Sequence, residues 1–65
     1  MNKLLINGNL YVDTDANVTD HPDEDMIQIV NEIEEMIKSK LGMKFVAHFA
    51  ELTDENDNLL GAYEA

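Results

Sequence analysis

The sequence predicts an α+β domain of order β-α-β-β, with one amphipathic helix laid on a small three-stranded sheet. Three observations predict it. Apolar side chains alternate near the amino terminus at Leu4, Ile6, Leu10 and Val12. They then recur at three- and four-residue steps through Met26, Ile29, Val30, Ile33, Met36, Ile37 and Leu41. Finally, a second alternating run, MKFVAHFAEL, is followed by a polar TDENDN and a short apolar return. Period two places every second side chain on one face of a strand, and period 3.6 places such a set on one stripe of a helix. All 65 residues fit one domain: a strand over 3–12, an acidic loop over 13–21, a helix over 22–41 and a hairpin over 43–63.

In the first strand, KLLINGNLYV, Gly8 interrupts the even positions and reads as a bulge or a close backbone approach. The competing reading is a tight hairpin at Asn7-Gly8, a dipeptide suited to a type I′ turn, but each arm is then very short. One long strand is the expectation. The helix has agreeing start, face and stop signals. Asp20 or His21 caps it, and Pro22 sits in the first turn, where a missing N–H costs nothing. Asp23, Glu24 and Asp25 face the positive end of the helix dipole. Lys38 and Lys40 occupy the last turn, and Gly42 supplies a left-handed exit.

Residues 43 to 52 read as a strand with Phe45, Ala47 and Phe49 on one face and Val46, His48 and Ala50 on the other. Residues 59 to 63 return as its hairpin partner. A strand-helix-strand crossover is expected to be right-handed and parallel. The sheet face away from the helix, carrying Leu5, Tyr11, Val46 and Leu60, is left apolar and uncovered. That exposure predicts a homodimer, by face packing or edge pairing.

A chain this short buries only about 60% of its unfolded surface, so the core is thin. Cysteine is absent, which removes disulfides and thiolate metal sites as a staple. The apolar run after Met1-Asn2-Lys3 is too short for a signal peptide, and no stretch approaches a membrane span. The expected location is cytoplasmic.

Charge is the least ordinary feature. Fourteen acids stand against four lysines and no arginine, for a net charge of −10 and a pI near 4.1. Between Lys3 and Lys38 no lysine or arginine occurs, while nine acids do: Asp13, Asp15, Asp20, Asp23, Glu24, Asp25, Glu32, Glu34 and Glu35. The other five, Glu51, Asp54, Glu55, Asp57 and Glu64, lie in the last fifteen residues. Folding must overcome the self-repulsion of such a distribution.

The stretch DTDANVTDHPDE imitates a calcium loop, with Asp13, Asp15, Asn17 and Glu24 at ligand positions. That loop needs glycine where Val18 stands, and a β-branched residue resists the positive φ required there. A strand pattern rather than a helix precedes it, and helix-start electrostatics already account for Glu24. Divalent-cation binding through 13–24 is therefore a minor alternative, and no metal site or cofactor is expected. His21 and His48 read as a capping residue and a sheet-face residue. Ser39, Thr14, Thr19 and Thr53 lie outside any nucleophile elbow, phosphate loop or dinucleotide fingerprint. No catalytic residue and no small-molecule substrate are expected. Direct nucleic-acid binding is disfavoured as well, since phosphate contacts require lysine or arginine.

The inverse fits better: a surface that resembles nucleic acid. Asp13, Asp15, Asp20, Asp23, Glu24 and Asp25 load the loop and helix start. Glu32 and Glu35 continue along the polar helix face, and Asp54, Glu55 and Asp57 load the last turn. Carboxylates accept from lysine and arginine as phosphates do, so these eleven residues are the candidate partner-binding set. With its small size, folded core and arginine-free clusters DTDANVTDHPDED and TDENDN, the chain resembles the acidic DNA-mimic proteins encoded by phages. The resemblance covers the whole chain in character. It implies inhibition of a basic host protein, such as a nucleoid protein, RNA polymerase or a defence nuclease, in the bacterial cytoplasm. The alternative is a small dimeric structural or interaction module whose acids form a solvated surface.

Overall fold

The computed structural model describes residues 1–65. The elements are β1 (Asn2–Ile6), β2 (Leu10–Thr14), α1 (Pro22–Leu41), β3 (Phe49–Thr53) and β4 (Leu59–Glu64). One four-stranded sheet has the order β2-β1-β3-β4, and every neighbouring pair is antiparallel. The α+β class and the helix stand as expected. The strand count and connectivity are corrected.

The single strand expected over 3–12 is a hairpin. Asn7 and Gly8 both hold positive φ, 55° and 79°, as the two central residues of a type I′ turn must. The Asn9 N–H donates to Ile6 O across it at 3.2 Å. Gly8 is thus a turn residue and not a bulge within a strand. Alternation could not separate the two readings, because the turn returns the chain to the same face. Leu4 lies opposite Val12 and Ile6 opposite Leu10, all four directed to the helix side.

With a hairpin first, the helix follows β2 rather than β1. Both β2 and β3 run antiparallel to β1, so they are parallel to each other with β1 between them. The expected parallel crossover therefore exists, but between strands that do not touch.

The strand expected from residue 43 begins only at Phe49. Residues 42–48 form an irregular segment, and the predicted face Phe45–Ala47–Phe49 is split across its end. Phe45 and Ala47 drop into the core from that segment, Ala50 and Leu52 face inward from β3, and Phe49 is exposed. The Asn7 side chain replaces a strand ladder here. Its Nδ2 donates to Val46 O at 3.0 Å, and its Oδ1 accepts from the backbone N–H groups of His48 and Phe49 at 2.7 and 3.3 Å.

Helix α1 has the predicted limits. His21 is its N-cap but makes no side-chain capping bond. Asp25 instead reaches back, accepting from the Thr19 N–H and hydroxyl at 2.6 and 2.7 Å. Gly42 adopts the left-handed conformation at φ 65°, and its N–H donates to Lys38 O. The buried stripe is narrower than its sequence pattern, since Met36 and Leu41 are exposed. Leu4, Ile6, Met26, Val30, Ala47, Ala50 and Leu52 make the core, with Val12, Val18, Ile29, Ile33, Phe45, Leu60 and Tyr63 packed against it. Leu60 is therefore an inward residue, and Val46 lies in the irregular segment; neither is on the outer sheet face. No helix is long and apolar enough to cross a membrane.

Candidate functional site

Strand register decides where the acids go. The Lys3–Asp13 and Lys3–Thr53 pairings bring the start of β1, the end of β2 and the end of β3 to one end of the molecule. The β3–β4 turn, with Asp54, Glu55 and Asp57, is therefore at that end too. The chain leaves β2 there through residues 15–21, and Val18 and Met26 approach Gly61 of β4. Helix α1 therefore starts at this end. It finishes at the other, where the Glu34 carboxylate accepts from the Ala47 N–H at 3.2 Å.

The result is a molecule with unlike ends. Nine of the fourteen acids, Asp13, Asp15, Asp20, Asp23, Glu24, Asp25, Asp54, Glu55 and Asp57, gather at the first end, with only Lys3 and the terminal amine as cations. Lys38, Lys40 and Lys44 sit at or beyond the helix C-terminus at the other. No lysine forms an ion pair. The single ion pair joins the Met1 amine to Glu55 Oε1 at 2.5 Å.

Of the eleven predicted partner-binding residues, these nine are brought together and two are not. Glu32 and Glu35 lie farther along α1; Glu32 Oε1 accepts from Gln28 Nε2 at 3.3 Å, and Glu35 shares a shallow depression with Lys38 and Lys44. Three of the nine also have local duties. Asp25 ties the loop to the helix, as above. Asp54 Oδ1 accepts from the Asn56 and Asn58 N–H groups at 2.8 and 2.9 Å, closing the β3–β4 turn, and Glu55 holds the amino terminus. That leaves Asp13, Asp15, Asp20, Asp23, Glu24 and Asp57 exposed, with carboxylates that accept no hydrogen bond from the protein.

The electrostatics follow these contacts. Hydrogen bonds from Thr19 hold the Asp25 carboxyl below its ordinary value, and those from Asn58 do the same for Asp54. The terminal ammonium lowers Glu55, and Glu55 with Asp15 and Asp13 raises the amine. The two sequence-distant acidic runs thus act on one group.

Sequence reasoning read the outer sheet face only as an apolar dimer surface and missed its polar and charged members. Leu5, Tyr11, Asp13, Glu51, Thr53 and Asp57 line a shallow depression there with Lys3. Tyr11 is 71% exposed. Strand pairing, which sequence alternation does not specify, is what assembles it. No three His, Asp or Glu side chains converge as metal ligands, and the calcium-like positions are spread over β2, the loop and α1.

Comparison with protein-family profiles, curated proteins and solved structures returned no match.

Proposed function

We propose that the protein is an acidic decoy that occupies the DNA-binding surface of a basic protein in a bacterial cytoplasm and inhibits it. The observation that carries this reading is the gathering of nine carboxylates at one end while three of four lysines stand at the other. A duplex presents one charge per about 1.7 Å of its axis, and a group of carboxylates, six of them exposed and unpartnered, offers lysine and arginine similar acceptors. Because the charge is one-sided, the field orients an approaching basic groove toward the acidic end and accelerates encounter at low salt. Solubility alone does not require such segregation.

The test is competition with duplex DNA for a bacterial nucleoid protein, with the salt concentration varied. Asp20→Lys, Asp23→Lys and Glu24→Lys together remove exposed charge while sparing the Thr19–Asp25 tie. This variant should stay folded and weaken capture by about tenfold or more, equivalent to 1.4 kcal/mol per decade. Undiminished competition by the folded variant would place the partner elsewhere.

Exposed Tyr11 and Phe49, with half-buried Leu5 on the same face, favour a second reading, a homodimeric interaction module packed through the outer sheet face. Sedimentation at increasing protein concentration separates it from a monomeric decoy.

A further inference from the structure

We propose that β2 is a docking edge for an extended segment of alternating basic and apolar residues, added to the sheet as a fifth strand. This rests on the basic-partner reading above and names the part of the partner that binds.

Backbone direction is the first argument. The Asn7 N–H donates to Phe49 O on the β3 side, and Ile6 O accepts on the β2 side. Polar backbone groups alternate along a strand, so Leu4 and Ile6 address β2. Their partners Val12 and Leu10 therefore turn their N–H and C=O groups back to β1. Those of Tyr11 and Asp13 point outward from the sheet.

Neither proline, lysine nor a bulge blunts this edge, and its one charge, Asp13, is the one a basic strand would meet. β2 pairs with β1 in unbroken register, whereas natural edges are usually protected by such devices. The following loop does not cover it; residues 15–21 cross the inner face, bringing Val18 to Gly61 of β4. The opposite edge is different. Helix α1 lies against β4, Asp23 and Ile27 flank Tyr63 and Glu64, and the β3–β4 register slips at Leu52/Thr53.

Side-chain chemistry identifies the occupant. On an added strand, alternate residues lie beside Tyr11 and Asp13 on the outer face, and the residues between lie beside Leu10 and Val12 on the inner face. Outer positions suit lysine or arginine, which meet the Asp13 carboxylate and the Tyr11 ring. Inner positions suit apolar side chains that cover Leu10, still 39% exposed. A second copy of this chain is the poorer fit, because it brings another Asp13, another Asp15 and a second charge of −10 to the same edge. Main-chain bonds would supply affinity and alternate side chains the specificity.

The probe is a short, terminally blocked peptide of alternating lysine and valine. Binding should slow hydrogen exchange at the Tyr11 and Asp13 amides by about tenfold or more, and leave Ala62 and Glu64 of β4 unchanged. The same peptide N-methylated at its lysines keeps its charge but cannot donate to β2, and its affinity should fall by about tenfold. Tyr11→Pro removes the outward donor together with the Tyr11 ring and should weaken binding at least as much; Tyr11→Ala, which loses the ring but keeps the donor, should weaken it less. Should the proline variant unfold, the two peptides still decide the matter on the native protein. Equal binding of both peptides, with Tyr11 and Asp13 unprotected, overturns the docking edge while leaving charge-driven capture intact. Concentration-dependent protection of those amides without peptide also overturns it, since a second copy then holds the edge. Capture lost on reversing Asp20, Asp23 and Glu24 but retained in Tyr11→Pro likewise separates the two readings.

Discussion

Asn7 stands at the first central position of the β1–β2 turn, and its amide group also anchors the segment that leads into β3. Its positive φ is tolerated because a short amide side chain resists that conformation less than other residues do. Asn7→Ala removes one donor and two acceptor interactions while keeping the strained φ. We expect a loss of about 2 kcal/mol, seen as a lower urea midpoint, together with faster exchange at the His48 and Phe49 amides. Asn7→Gly should restore the turn but not the anchor, so its exchange defect should persist. Equal exchange in all three proteins would remove Asn7 from this role. Gly61 is constrained by contact rather than by φ. A Cβ there would meet Met26 Cγ at 2.8 Å and Val18 Cγ1 at 3.2 Å, so Gly61→Ala should cost about 1–3 kcal/mol by overpacking.

Among the elements, α1 and the β3–β4 turn owe part of their stability to ionised carboxylates. Asp25 and Asp54 both have lowered pKa in the folded chain because backbone N–H groups bond the charged form. The unfolded chain therefore binds protons first as pH falls. Their stabilisation is complete above the ordinary carboxylate range and disappears as pH drops through the lower folded values. Asp54→Asn should flatten the acid limb of the melting-temperature profile and lower the neutral plateau; an unaltered limb would assign acid sensitivity elsewhere. The Met1 amine has the opposite sign. Its raised value gives stabilisation that is complete below the ordinary amine range and is lost as pH rises through the folded value.

For the whole molecule, the balance lies between a core of seven buried apolar residues and crowded like charge. Sodium chloride shortens the screening length from about 30 Å at 0.01 M to about 3 Å at 1 M. Repulsion within the acidic end should weaken accordingly, and the melting temperature should rise with salt. A flat response would mean that the acids scarcely oppose folding. Leu52→Ala should cost about 2–5 kcal/mol, a large share of the stability available to a domain this small.

Helix α1 was readable from its residues because its start, stripe and stop are local features: Pro22, the spacing of Met26 through Ile37, and Gly42. The acidic clusters were readable too, since charge depends on composition alone. Local order did not decide between a strand and a hairpin at residues 3–12, because both put Leu4, Ile6, Leu10 and Val12 on one face. Nor could it show that Asn7, some forty residues away, would hold His48 and Phe49 and delay β3. The joining of Asp13 and Asp15 with Glu55, and the open Tyr11–Asp13 edge, were decided only by tertiary structure. Pairing partners and the order of strands are long-range choices, made by which faces can be buried together, and side-chain alternation within one strand carries no record of them.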